Sequence, residues 1–301
     1  MNSIVIFGGA GFVGRHIIRR LSLKGYKIYI PYQRPTNEAK LRLLGNFGQV
    51  IPFYYSTLDD QRIANILNKS NVCINLKTNW ISKKLDFNQT IFKFNEKLLN
   101  LIDMKKSVEQ FIYFSGLGID EDKKSLRSLA VFKSEKIISS RFNNSIIIRP
   151  GIIIGRDDNF LSHLITIFKM SFVIPIFGNG KSVLQPIYID DVALTVEKII
   201  HNKLHGKHIF ELVGPYQFSF NDLFNLIKNI QNKKRILFNV PMIIAKFLVN
   251  ILQKTPFSPI NLEQLRLFEK DSIQRGVDKD LDFFNINPKD TIEIIRKIAK
   301  F

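Results

Sequence analysis

The N-terminal stretch constrains the fold more than any other part of the chain. Ile4-Val5-Ile6-Phe7 is an apolar run, Gly8-Gly9-Ala10-Gly11 a glycine cluster, and Ile17, Ile18 and Leu21 recur at helical spacing behind Phe12, Val13 and Gly14. A short apolar run bounded by glycines reads as a strand buried on both faces, the signature of a parallel sheet. Gly9, Gly11 and Gly14 satisfy the G-x-G-x-x-G template, and Gly8, Gly11 and Gly14 are also spaced three apart. A tight turn needs a residue without Cβ, a pyrophosphate needs close backbone approach, and a helix start offers unpaired N–H groups at its positive end. A ligand-free glycine turn would share this composition, but the strand before it and the helix after it are what the binding version requires. Gly8, Gly9, Gly11, Phe12, Val13 and Gly14 are therefore candidate contacts to a dinucleotide.

Strands and helices continue to alternate. Residues 27–31, 49–53, 72–76, 110–114 and 145–149 read as further strands, with helices over 61–67 and 94–104. That rhythm predicts an α/β fold, a Rossmann-type doubly wound parallel sheet. Beyond residue 150 it loosens into helices over 160–169, 220–229 and a third ending at Ile200, capped by Asp190 or Asp191, with a short strand at 210–213. Residues 1–150 are expected to form the nucleotide-binding core. Residues 151–301 are expected to supply the remaining sheet elements and a small C-terminal α/β subdomain.

Open sheets of this kind bind ligands beyond the carboxyl ends of their strands. Asn75, Leu76 and Lys77, which open into Thr78-Asn79-Trp80, are thus candidate neighbours of the nucleotide. The second strand ends Tyr32-Gln33-Arg34, with no carboxylate before Glu38. An acidic residue there holds the ribose 2′-hydroxyl of NAD, whereas a cation suits a 2′-phosphate. The expected cofactor is NADPH, with NADP(H) favoured over NAD(H) and Arg34 as its contact.

The net charge of +18, from 44 basic and 26 acidic residues, is scattered, with only short clusters such as Lys233-Lys234-Arg235. An AT-rich genome would give the same Lys, Asn, Ile and Phe bias, and nucleic acid is not expected as a partner; an anionic membrane surface or an acidic protein would suit the charge. The single cysteine, Cys73, lies in an apolar run and is expected to be a buried core thiol, which fits a reducing compartment. No signal peptide is expected before the glycine turn, and no apolar run is long enough to span a bilayer. In the nearest, 240–252, Ile243, Phe247 and Ile251 share a face with Ile244 and Leu248 beside them. That pattern reads as a core helix, or as an interfacial helix touching lipid or a membrane subunit.

The glycine turn, Arg149-Pro150 and Gln185-Pro186-Ile187-Tyr188-Ile189-Asp190-Asp191-Val192 together resemble the extended or atypical branch of the short-chain dehydrogenase/reductase family. A narrower set of blocks resembles the NADPH-binding, 39-kDa-type accessory subunits of respiratory complex I (NADH:ubiquinone oxidoreductase). These are Ile30-Pro31-Tyr32, Leu44-Gly45-Asn46-Phe47-Gly48-Gln49-Val50, Ser70-Asn71-Val72-Cys73-Ile74-Asn75-Leu76, Phe111-Ile112-Tyr113-Phe114-Ser115 and Gly155-Arg156-Asp157-Asp158-Asn159-Phe160-Leu161, with Thr255-Pro256-Phe257-Ser258-Pro259 less specific. The resemblance implies a tightly held NADPH with a structural role, on a subunit at the junction of the peripheral and membrane arms near the quinone site. It implies complex I subunits as partners, with a lipid or membrane surface beside them. The place implied is peripheral, on the cytoplasmic face of a bacterial inner membrane or the matrix side of the mitochondrial one.

Short-chain reductases use Tyr-x-x-x-Lys, in which lysine lowers the tyrosine pKa and binds the nicotinamide ribose while tyrosine passes the proton. No tyrosine of this chain is followed four places on by lysine. Phe132-Lys133-Ser134-Glu135 matches the family's Ser-Lys-Ala-Glu block, which puts Lys133 on the lysine and Leu129 on the tyrosine. The same match carries Ser115, as the strand-end serine, and Pro150 as cofactor neighbours, while Ser56 stands where the family has an acidic residue near the adenine. No catalytic residue is expected, and the function implied is a non-catalytic NADP(H)-binding accessory subunit. The competing expectation is an NADP-dependent reductase, epimerase or dehydratase with a non-standard acid. The histidines make no metal-ligand pattern, and Asp157-Asp158 is expected to cap the helix that follows.

Overall fold

The structure, a computed structural model, describes residues 3–78, 86–119, 125–232, 234–252, 261–276 and 280–300. Asn79, Trp80, Lys233 and residues 255–259 of the sequence reading lie outside them. The first half alternates β1 (Ser3–Phe7), α1 (Phe12–Leu23), β2 (Lys27–Tyr32), α2 (Glu38–Arg42), β3 (Val50–Tyr54), α3 (Gln61–Lys69), β4 (Val72–Asn75), α4 (Phe94–Lys105), β5 (Gln110–Phe114), α5 (Leu126–Arg141) and β6 (Ser145–Pro150). The second half adds β7 (Ile153–Ile154), α6 (Leu161–Met170), β8 (Val173–Phe177), β9 (Val183–Leu184), β10 (Ile187–Tyr188), α7 (Ile189–His201), β11 (His208–Leu212), β12 (Phe218–Ser219), α8 (Phe220–Gln231), β13 (Ile236–Val240), α9 (Met242–Leu252), α10 (Leu262–Leu265) and α11 (Thr291–Lys300).

Seven strands form one parallel sheet in the order β11-β6-β5-β4-β1-β2-β3. Because side chains alternate along a strand, each strand feeds two cores. Ile4, Ile6, Ile28, Ile74 and Ile146 pack against Ile17 and Leu21 of α1 and Val192, Val196 and Ile199 of α7. Val5, Phe7, Cys73, Phe111 and Ile147 pack on the other face against α3, α4 and α5 through Ile63, Leu98 and Val131. This is the expected Rossmann-type sheet, and Cys73 is fully buried within it.

The small C-terminal α/β subdomain has its own core, in which Phe168, Phe220, Phe224, Ile227 and Ile295 meet. Its sheet pieces are short: β8 with β13, β9 with β12, and β7 with β10. Two expectations are corrected. Val240 closes β13 opposite Phe177 and does not start a helix; it precedes Pro241, and a residue before proline is driven to extended backbone. Neither Asp190 nor Asp191 caps α7, because Tyr188 holds the cap position and both carboxylates sit in the first turn. Asp190 accepts from His16 Nδ1 at 2.9 Å, and Asp191 Oδ2 accepts the Lys289 amide at 2.8 Å. Asp158 does meet the start of α6, accepting the amides of Phe160 and Leu161 at 2.7 and 2.6 Å.

Candidate nucleotide-binding site

The strand order reverses at β1, with β2 on one side and β4 on the other. A crevice at the carboxyl ends of such strands is where open sheets take ligands, and the glycine turn lies there. Gly8 has φ +79°, a conformation few other residues adopt, and its amide-side neighbour is the end of β4: a Cβ on Gly8 would lie 3.2 Å from Leu76 and 3.3 Å from the Lys77 amide. Gly14 answers a different need. A Cβ there would lie 2.3 Å from the Gly9 carbonyl oxygen, so only glycine lets α1 start against the turn. Gly11 holds the cap position of α1 without a side-chain bond. The first intrahelical bond runs from Arg15 N–H to Gly11. The amides of Phe12, Val13 and Gly14 meet no acceptor among the described residues. Three orphan donors at a helix start are an anion cradle.

The adjoining strand ends bring cations together. Lys77 Nζ donates to Gln33 Oε1 at 2.6 Å and lies 3.9 Å from the Phe94 ring centroid. Burial, and secondarily the charge of Arg34, lowers its pKa to about 8. Arg34 is exposed just beyond β2. The next carboxylate along the chain, Glu38, is already engaged by the Tyr32 hydroxyl and by Arg42 at 3.0 Å. Asn75 is fully buried, and its side chain is spent within the protein: it donates to Asn95 Oδ1 at 2.7 Å and accepts the Lys77 amide at 2.9 Å. Asn75 thereby sets the turn that aims Lys77. Leu76 packs on the α1-side core and donates its amide to Phe7 at 2.9 Å.

Farther along the sheet edge, Ser115 follows β5. Its Oγ is buried with no partner among the described residues. Leu129 and Lys133 lie one turn apart on α5, the first half-buried and the second exposed. Pro150 ends β6 opposite Leu212. The chain's own C-terminal part is stapled to the start of this helix: Ser125 caps α5 and donates its hydroxyl to Glu263 of α10 at 2.5 Å.

Sequence reading missed the group that fixes α5 to the sheet. Arg149 donates to both oxygens of Glu135, at 3.0 and 2.8 Å, and lies 3.7 Å from Glu211 of β11, all three being buried. The signal was an arginine ending an otherwise apolar strand run, since a charge placed there needs a buried partner.

The residues thus fit a dinucleotide: orphan amides at a helix start, glycines where a Cβ would collide, and a buried unpartnered hydroxyl further along the same edge. The profile of the NAD dependent epimerase/dehydratase family matches residues 4–213. The chain is 30% identical over 259 residues to NADH dehydrogenase (ubiquinone) 1 alpha subcomplex subunit 9, mitochondrial, of Rattus norvegicus, covering 84% of this chain and 68% of that protein. It is 24% identical over 261 residues to the NADH-ubiquinone oxidoreductase 40 kDa subunit, mitochondrial, of Neurospora crassa, covering 86% and 68%. In fold it resembles UDP-glucose 4-epimerase of Thermotoga maritima, with a TM-score of 0.72 at 18% identity over 99% of this chain and 97% of that one. The chain therefore belongs to the NAD dependent epimerase/dehydratase family, alongside the alpha subcomplex subunit 9 proteins of NADH:ubiquinone oxidoreductase.

Proposed function

We infer that this chain is an accessory subunit of a respiratory NADH:ubiquinone oxidoreductase that holds NADP(H) without turning it over. The observation that carries the reading is an intact nucleotide cradle in a fold whose helix α5 carries Leu129, a side chain with no proton to give where the reductases keep their tyrosine. The relatives named above supply the complex. Arg34 and Lys77, with Glu38 already engaged, favour a 2′-phosphate over a free 2′-hydroxyl. Phe12, Val13 and Gly14 would present their amides to the pyrophosphate. Ser115 and Lys133 would meet the nicotinamide half, with Pro150 at its rim.

The reading extends to where the subunit sits. Among the described residues no helix is long and apolar enough to cross a membrane. On α9, Ala245 and Val249 are buried while Ile243, Phe247 and Ile251 are 84%, 65% and 50% exposed. Beside that helix in sequence, Ile236 and Phe238 of β13 are also exposed, and they share a sheet face with Val173 of β8. An apolar surface of this extent on a basic protein suits the junction of a peripheral arm with a lipid or membrane-subunit surface.

The test is purification from host membranes in mild detergent, followed by release of bound nucleotide with denaturant. Co-purification with oxidoreductase subunits and recovery of NADP(H) is the expected result; a chain that elutes alone, or carries no nucleotide, defeats the reading. Ser115 and Lys133 keep two of the three reductase groups, so a second reading is an NADP-dependent reductase, epimerase or dehydratase drawing its proton elsewhere. Substrate-dependent NADPH oxidation that disappears in Lys133→Ala would establish it.

A further inference from the structure

The loop between α2 and β3 is apolar, rigid and aimed at solvent. Phe47 at its tip is 108% exposed, while Leu43 at its start and Leu23 at the end of α1 are 82% and 81% exposed. Three large apolar side chains held outward on neighbouring turns contribute little to the fold, which would bury them. The frame beneath them is closely bonded. Gln49 is buried; its Nε2 donates to the carbonyls of Ser22 at 2.7 Å and Tyr26 at 3.0 Å, and its Oε1 accepts the Asn46 amide at 2.9 Å. The Ser22 hydroxyl donates to the Leu44 carbonyl. Gly45 is packed so closely that a Cβ would lie 2.8 Å from Val50 Cγ2. The loop is thus locked to the end of α1 and the start of β3, and most of the ordering cost of docking is met before a partner arrives.

Charge selects among partners. Residues 19–27 and 40–50, which frame the loop, carry six Lys or Arg and no carboxylate; Arg20 and Lys24 share Glu197 and Arg42 pairs with Glu38, which leaves the balance positive. A second copy would set this basic surface against itself. Nucleic acid would answer the charge and leave the leucines uncovered. A bilayer would answer both, but the loop lies at the amino edge of the sheet, where β3 begins. The exposed face of α9 belongs to the subdomain built beyond the carboxyl ends of β6 and β11, so one flat membrane does not serve both. An exposed aromatic side chain on a closely bonded frame has the character of a protein interface anchor.

We propose that Phe47, flanked by Leu23 and Leu43, is the anchor by which this chain docks into an apolar pocket rimmed by carboxylates on a neighbouring protein subunit. The proposal rests on the accessory-subunit reading and adds to it the face by which the subunit is held. That face lies at the opposite sheet edge from the glycine turn, so docking and nucleotide binding do not compete.

The experiment uses the full chain in its host membranes. A photoreactive phenylalanine analogue at position 47 is expected to give one adduct, with a protein subunit of the complex. Phe47→Asp is expected to lower recovery of the chain with the complex about tenfold or more, a hot-spot loss, with bound nucleotide and Tm unchanged; Phe47→Leu is expected to retain most of it. An adduct formed only with lipid, nucleic acid or a second copy overturns the docking proposal and leaves the accessory reading standing. So does recovery of Phe47→Asp at the wild-type level. A wild-type chain absent from the complex overturns both.

Discussion

The proposed preference for NADP(H) rests on two cations, and the proposed cradle on one glycine. Lys77 is held from 10.5 down to about 8 by burial first and Arg34 second. A bound 2′-phosphate would favour its charged form, so NADPH binding should take up a proton. Affinity for NADPH is then expected to be full below about pH 8 and to decline above it, with NADH nearly flat, as calorimetric titration at pH 7 and pH 9 would read. For the nucleotide-free chain the linkage is a cost. The folded pKa is depressed, so between about 8 and 10.5 the unfolded chain binds the extra proton and stability rises with pH. Lys77→Met and Arg34→Ala are each expected to weaken NADPH by about ten- to a hundredfold, the loss of a charge-assisted bond, and to change NADH binding far less. Gly14→Ala forces a methyl onto the Gly9 carbonyl; a loss of about 1–3 kcal/mol in denaturant unfolding is expected from overpacking, together with loss of the nucleotide.

Elements differ in how openly the sequence declares them. The central strands were readable because a parallel strand buried on both faces is a near-continuous apolar run, as Ile4 to Phe7 and Ile146 to Ile148 are. The glycine turn was readable because its geometry admits no substitute at Gly14. The two-residue strands β7, β9, β10 and β12 were not, since so short a pairing leaves no period to detect. The turn role of Asn75 and the ion cluster of Arg149 were hidden for another reason. Both depend on partners far along the chain, Asn95 in one case and Glu135 and Glu211 in the other. That cluster ties α5, β6 and β11 together. Replacing Arg149 by alanine takes the two-pronged partner from the buried Glu135 carboxylate and a cation from beside Glu211, and a loss of about 3–5 kcal/mol is expected, measurable by chemical denaturation. Removing only Glu211, the more distant partner, should cost less than Glu135→Ala, because Arg149 keeps its two-pronged pair.

At the scale of the whole molecule, the proposed nucleotide cradle occupies the carboxyl edge of the sheet, and the apolar surface of α9, exposed among the described residues, lies on the C-terminal subdomain. Ile243→Glu combined with Phe247→Glu should release the chain from membranes in a flotation assay. Unfolding stability should stay within about 0.5 kcal/mol, as surface changes ordinarily do. In the middle of the sheet sits Cys73, in register with Val5 on one side and Phe111 on the other, its thiol pKa pushed up by burial. The chain has no other cysteine. A maleimide can reach this sulfur only when the sheet parts, so its labelling rate is an internal clock for global opening. A nucleotide that binds the closed form alone should slow that clock in proportion to its occupancy. Retention of the cofactor can therefore be timed on the unmodified protein with a mass spectrometer, without following any reaction.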